Sequence, residues 1–214
     1  MIKTKHKYID DIKVRNDDTS LILGTIHPHR PNDFLIDFFY GNKNSLWNIL
    51  SKAFVNLDLS SKEKILEFLK LNNIWVSDMI IECERENENV TQDKELTNIV
   101  LNTNQITQSL INSKIKIIFF TSGFNKNNAA KLFCDYYKIK PELNDKREFI
   151  IPKEKFGKVI KGVVLFSPSG QANIGISKNK EYLKQKEKYC QFKNPISKFK
   201  IDFYYRAFKE VIKI

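Results

Sequence analysis

The sequence predicts a three-layer α/β/α sandwich built on a central, mainly parallel four-stranded sheet. Four short apolar runs, Ser20–Gly24, Ile74–Ile80, Lys114–Thr121 and Lys161–Ser167, are near-continuous and rich in β-branched or aromatic residues. Strands covered on both faces read this way. Helical stretches separate the runs, so strand and helix alternate, which favours helices on both faces of a parallel sheet. The 214 residues, 42% hydrophobic and 12% aromatic, suffice for one full-sized core. A single domain spanning 1–214 is therefore expected, with a lysine-rich segment over about 175–214.

Each helix has its own signal. Asn44–Phe54 opens with an asparagine, a favoured cap. Ser61–Asn72 opens with a capping serine and turns Ile65, Leu66, Phe68 and Leu69 to one side. Asp93–Ile111 carries Leu96, Ile99 and Val100 at helical spacing, and Asn125–Tyr137 ends before Pro141. Ser177–Tyr189 reads as one lysine-rich helix. Ser197–Ile212 follows, with an apolar face of Ile201, Tyr204, Tyr205 and Phe208.

Composition removes several classes. No apolar run reaches the ~18 residues of a membrane span. The basic N-terminus lacks a following apolar stretch, so no secretory leader is expected and a cytoplasmic protein is. Cys83, Cys134 and Cys190 form no CxxC pair, and three cysteines make neither a disulfide framework nor a four-cysteine metal site.

The net charge of +11 is unevenly spread. Residues 151–214 hold 15 basic and 5 acidic side chains, whereas residues 1–150 hold 21 and 20. A one-sided positive field attracts polyanions, so nucleic acid is the expected partner. The plain alternative is a solvated lysine-rich face.

In a parallel sheet the ligand lies beyond the carboxyl ends of the strands. The loop after the first strand runs Gly24-Thr25-Ile26-His27-Pro28-His29-Arg30-Pro31 and on to Phe38-Phe39-Tyr40-Gly41-Asn42-Lys43-Asn44-Ser45-Leu46-Trp47. A His-x-His metal site lacks further ligands apart from Asp33 or Asp37, so no metal is expected. Phosphate or base contact by His27 or His29 remains open beside an ordinary surface turn. The loop after the fourth strand, Ser167-Pro168-Ser169-Gly170-Gln171-Ala172-Asn173, offers small donors to an anion, or is a plain turn.

Together these stretches resemble the uracil-DNA glycosylase superfamily: Gly-Thr and then Pro after a strand, Phe-Tyr-Gly-x-x-Asn-x-Leu-Trp, and a late Ser-Pro-Ser. Ile74-Trp75-Val76-Ser77-Asp78 through Cys83-Glu84-Arg85 is similar to "GIGLWDVLASCER" of the family 6-like, hypoxanthine-DNA glycosylase branch. Phe119-Phe120-Thr121-Ser122-Gly123, with Ala129-Ala130-Lys131-Leu132-Phe133 after it, resembles that branch's "FFNGG…AxxLF". There are departures. The first motif is one residue longer before Pro28 and has neither Asp nor Asn. The last has Ser167 where the main uracil enzymes have His. The C-terminal segment has no counterpart.

The resemblance implies a monofunctional DNA glycosylase that flips out an altered base, such as uracil or hypoxanthine, and releases it with water. It implies Asn44 as the residue orienting that water, with His27 next in line. Asn44 also reads as a cap of the following helix. Gly24, Thr25, Ile26 and Phe39 would contact the base, although Phe39 also reads as a core aromatic. Ser167, Ser169, Gly170, Gln171 and Asn173 would contact DNA. No cofactor is expected, and a monomer is. The alternatives are a non-catalytic DNA-binding module on the same fold, or a small-nucleotide hydrolase using the His27/His29 loop.

Overall fold

The computed structural model describes residues 1–43, 45–170 and 172–213, with Asn32 described by its backbone alone. The strands are β1 (Ile2–Lys5), β2 (Ser20–Gly24), β3 (Ile74–Asp78), β4 (Ile80–Arg85), β5 (Thr97–Leu101), β6 (Ile117–Phe120), β7 (Glu148–Ile151) and β8 (Ile160–Val164). The helices are α1 (Leu46–Ala53), α2 (Lys62–Leu71), α3 (Thr103–Asn112), α4 (Ala129–Tyr136), α5 (Lys153–Phe156), α6 (Ala172–Ser177), α7 (Lys180–Leu183), α8 (Lys186–Tyr189) and α9 (Pro195–Phe208).

The main sheet has the order β3-β2-β6-β8-β7. The four strands expected from the apolar runs pair in parallel: β2 with β3, β2 with β6, and β6 with β8. The expected four-stranded sheet is nonetheless five-stranded and mixed, because β7 adds an antiparallel edge. An edge strand is covered less completely: in Glu148–Ile151 the apolar run is only Phe149-Ile150-Ile151, too short to mark a strand, and its Ile150 is exposed.

Alternation along the strands divides the core in two. Ile22, Ile74, Val76, Phe119 and Val163 face one side, where α1, α2 and α9 supply Trp47, Ile65, Phe68, Phe199 and Phe208. Leu21, Leu23, Trp75, Ile118, Phe120 and Val164 face the other, against Ile106, Phe133 and Phe156 of α3, α4 and α5. The Phe119 and Phe208 rings stack at 4.0 Å, seating α9 on the sheet.

Three expectations change. The run Ile74–Ile80 is two strands, because β3 ends at Asp78 and β4 leaves for a second sheet, β1-β4-β5, with antiparallel pairing. The stretch Asp93–Ile111 is a 3-10 turn (Asp93–Glu95), then β5, then α3. Its apolar spacing imitated a helix because β5 is an exposed edge strand with no buried residue. The lysine-rich helix expected over Ser177–Tyr189 is two short ones, α7 and α8, begun after α6 ends at Ser177; Asn179 caps the restart at α7 by accepting the Glu181 N–H. Tyr182 and Tyr189 of this segment pack on Phe199 at 5.3 and 5.4 Å, which ties it to the core. Among the described residues, no helix is long and apolar enough to cross a membrane.

Candidate functional site

Because β2, β3, β6 and β8 run in parallel, their carboxyl ends deliver four loops to one side. These loops, residues 33–43 and Ser45 border a cleft of about 530 Å³. Its lining includes Thr25, Ile26, His27 and Phe39, then Asp78, Thr121 and Ser122, and finally Ser167, Ser169 and Gly170. Gly24 lies beneath. A Cβ there would meet Tyr40 Oη at 1.9 Å and Asp78 Oδ1 at 2.2 Å, so only glycine lets those two groups approach the strand end.

One side of the cleft is aromatic and internally satisfied. His27 Nε2 accepts the Lys7 backbone N–H at 2.8 Å, so the ring proton sits on Nδ1 and is donated to Pro28 O at 2.6 Å. Burial pushes the His27 imidazole down to about 4, keeping it neutral. His6 stands 4.8 Å from the His27 ring and 5.1 Å from Phe39. Its Nδ1 accepts the Tyr8 N–H, leaving Nε2–H to donate to Asp78 Oδ2 at 2.7 Å. Phe39 is a core aromatic against Phe38 and Tyr8 that also reaches the cleft lining. His29 turns away to Thr4, at 2.9 Å. Among the described residues, no group of three His, Cys, Asp or Glu is arranged to hold a metal ion.

The other side carries hydroxyls and a second carboxylate. Thr25 Oγ1–H donates to Asp93 Oδ2 at 2.9 Å. Ser122 Oγ is 3.0 Å from Thr25 Oγ1 and accepts the Ala129 N–H at 2.7 Å. Since the threonine proton points at Asp93, the serine proton points at Thr25, and the hydrogen bonds run one way from the start of α4 to the carboxylate. Burial raises the Asp93 carboxyl to about 6; the charge of Asp78 adds to this, while Thr25 and Arg85 oppose it. Asp78 receives the Tyr40 hydroxyl on Oδ1 at 3.3 Å, and Tyr40 is 3.2 Å from Thr121 Oγ1. Burial lifts the Tyr40 phenol well above its ordinary value, and Asp78 adds to the rise.

Helix α9 holds the fourth loop from behind. Lys200 Nζ donates to Ser169 O at 3.1 Å, and Tyr204 Oη donates to Phe166 O at 2.8 Å. The buried Lys200 ammonium is pushed down to about 8 by desolvation.

Of the residues expected from sequence, Thr25, Ile26, His27, Phe39, Ser167, Ser169 and Gly170 line this one cleft, with Gly24 at its floor. Asn173 lies on α6 and does not line it. Asn44 and Gln171 fall outside the described residues. Sequence reasoning missed Asp78, Asp93, Tyr40, Thr121 and Ser122, and His6 behind them. Asp78 did carry a signal: it is a carboxylate inside an apolar run, at the end of a buried strand.

No protein-family model matches the chain, and no curated protein matches it. Among solved structures, the solution NMR structure of a candidate uracil DNA glycosylase from Methanosarcina acetivorans is similar at 20% identity and a TM-score of 0.45. The similarity covers 90% of this chain and 94% of that one.

Proposed function

We propose that the chain is a monofunctional DNA glycosylase that excises an altered base, such as uracil or hypoxanthine, from DNA. The observation that carries this reading is convergence. The first loop, residues 39–43 with Ser45, and the Ser167–Gly170 loop are far apart in sequence yet line the same cleft. These are the segments whose motifs resemble the glycosylases.

Glycosidic cleavage sends the C1′–N electron pair to the departing base and leaves a cationic sugar for water to attack. The flipped base would lie against Phe39, with the Thr25–Ile26 backbone at its edge. Asn44 orients the water, as the resemblance implies. His27 acts as a positioning residue: both its nitrogens are bound to backbone, so it fixes the first loop instead of moving a proton. Ser167, Ser169 and Gly170 contact flanking phosphates, and the resemblance implies that Gln171 and Asn173 approach the minor groove or the vacated stack. The basic final third supplies attraction that is independent of sequence. No metal or organic cofactor enters the reaction, and the protein acts as a monomer.

The test is to incubate the protein with duplexes carrying uracil, hypoxanthine or other altered bases, then cleave abasic sites with alkali. Asn44→Ala should lower release by on the order of 10²-fold while leaving DNA affinity largely intact, because water positioning acts only in the transition state. Lys43 is the lysine on the described lining, so borohydride trapping checks that no Schiff base forms. Contact with ~6 phosphates predicts a log–log salt slope near −5. A protein that binds these duplexes but releases no base is a binding module, not an enzyme. One that hydrolyses small nucleotides, insensitive to the basic third, overturns the DNA reading altogether.

A further inference from the structure

We propose that Asp93 reads the ring edge of the flipped base, its free carboxylate oxygen accepting the N–H of a lactam. The inference rests on the glycosylase reading and names the substrate class: oxo bases whose edge carries a ring N–H.

Asp93 reaches the cleft from the 3-10 turn between β4 and β5, outside the main sheet. The turn is pinned: Asp93 O accepts the Asn127 Nδ2–H at 2.9 Å and the Leu96 N–H at 3.1 Å. Thr25 holds Oδ2, and among the described residues no hydrogen bond reaches Oδ1. Asp78 differs, since His6 takes one of its oxygens and Tyr40 the other.

The wall around Asp93 is polarised. Ala129 N–H, Ser122 O–H and Thr25 O–H point successively toward Asp93, so each hydroxyl proton is already committed. A wall built this way accepts hydrogen bonds and has few to give. Cytosine N3 and adenine N1 are lone-pair acceptors. In uracil and hypoxanthine the same ring atoms carry N–H. An accepting wall therefore pairs with the oxo base and faces its amino parent acceptor to acceptor, which leaves two polar groups unsatisfied.

The same carboxylate makes the selectivity depend on pH. Titration near 6 would convert Oδ1 from acceptor to donor. The titratable and charged groups facing it are Asp78 on β3, with Arg85 and Cys83 on β4. The Asp78 charge favours the protonated form and the Arg85 charge opposes it.

The experiment compares single-turnover release of hypoxanthine against unsubstituted purine, and of uracil against 2-pyrimidinone, from matched duplexes. The second member of each pair lacks the ring N–H. At pH 7.5 wild type should prefer the lactam, and Asp93→Asn should shrink the preference by on the order of 10²-fold, as when a site loses its partner for a substrate N–H. The wild-type preference should also shrink between pH 7.5 and 5, an arm that needs no variant. Equal losses on both members of a pair, or a preference flat with pH, overturn the assignment. If no duplex loses its base, the glycosylase reading fails and free bases decide Asp93. Calorimetry should then find hypoxanthine bound more tightly than adenine at pH 7.5, and the difference gone in Asp93→Asn. Equal or undetectable binding of both overturns it.

Discussion

On the histidine side of the cleft, every ring nitrogen has an internal partner. His27 joins Pro28 and Lys7; His6 joins Asp78 and Tyr8. On the facing hydroxyl side, donors run in series through Ser122 and Thr25 and stop at Asp93, with one carboxylate oxygen left over. The residues that looked most chemical in the sequence are thus the ones that hold shape. The residue with capacity to meet a ligand comes from a turn with no motif. The difference teaches that a side chain's chemistry is decided by which of its atoms remain uncommitted, not by its type.

The contrast should break most completely where the two sides meet. Gly24→Ala drives a Cβ into Tyr40 Oη and Asp78 Oδ1. Neither group can retreat easily, because His6 anchors Asp78 and Thr121 lies against Tyr40. Overpacking of this kind costs ~3 kcal/mol or more. Urea unfolding should record that loss, together with loss of base release. An unchanged midpoint would mean that the floor yields.

The histidine side should next be disrupted by acid. Protonating His27 at Nε2 removes the acceptor for the Lys7 N–H. Its folded pKa, about 4, lies below the usual 6.5. The neutral ring's contribution is therefore complete above 6.5 and is lost as pH falls from there through about 4. The gap sets a ceiling of ~3 kcal/mol. Thermal melts from pH 7 to 4 should be steeper in wild type than in His27→Gln. Parallel curves would assign the acid sensitivity to other groups.

The carboxylate side should respond with the opposite sign. The Asp93 pKa is raised from 3.8 to about 6, so its contribution is fully present below 3.8 and is lost as pH rises through about 6. Asp93→Asn removes the cost of a buried charge and should stabilise the fold at pH 7.5 by ~2 kcal/mol, with about a third of that gain at pH 4.5. Denaturation at the two pH values checks this. A variant destabilised at pH 7.5 would mean that Asp93 holds the turn instead of straining it.

How much of this was legible follows from where burial acts. β2, β3 and β6 fall within apolar runs, and β8 overlaps one, because a parallel strand covered on both sides has no solvent face on which to alternate. Thr25, Ile26, Phe39 and Ser167 were within reach because they follow such strands amid glycine and proline. β1 could not be read: four residues, with Thr4 alone buried, carry no pattern without the partner strand β4. Asp93 depends on that second sheet, whose pairing joins residues about 80 positions apart. The commitment of His27 was equally hidden, since a backbone N–H twenty residues away decides it.

The smallest effect, and the sharpest test of the hydroxyl side, is Ser122→Ala. Helix α4 begins at Ala129, and the side chain of its capping residue, Asn128, makes no capping hydrogen bond. Ser122 does that work from the loop after β6: its Oγ accepts the Ala129 N–H and its carbonyl accepts the Ala130 N–H. The substitution removes only the first of these, so the cost should be ~1 kcal/mol, as for the loss of a helix cap. It also removes the hydrogen bond into Thr25, yet the Thr25–Asp93 bond remains. Oδ1 therefore stays an acceptor, and the preference for a lactam over its N–H-less analogue should persist within about threefold, the scale of one modest hydrogen-bond term. Urea denaturation measures the first quantity and paired single-turnover release the second. If the preference collapses as far as in Asp93→Asn, the hydroxyl series itself reads the base, and Asp93 merely terminates it.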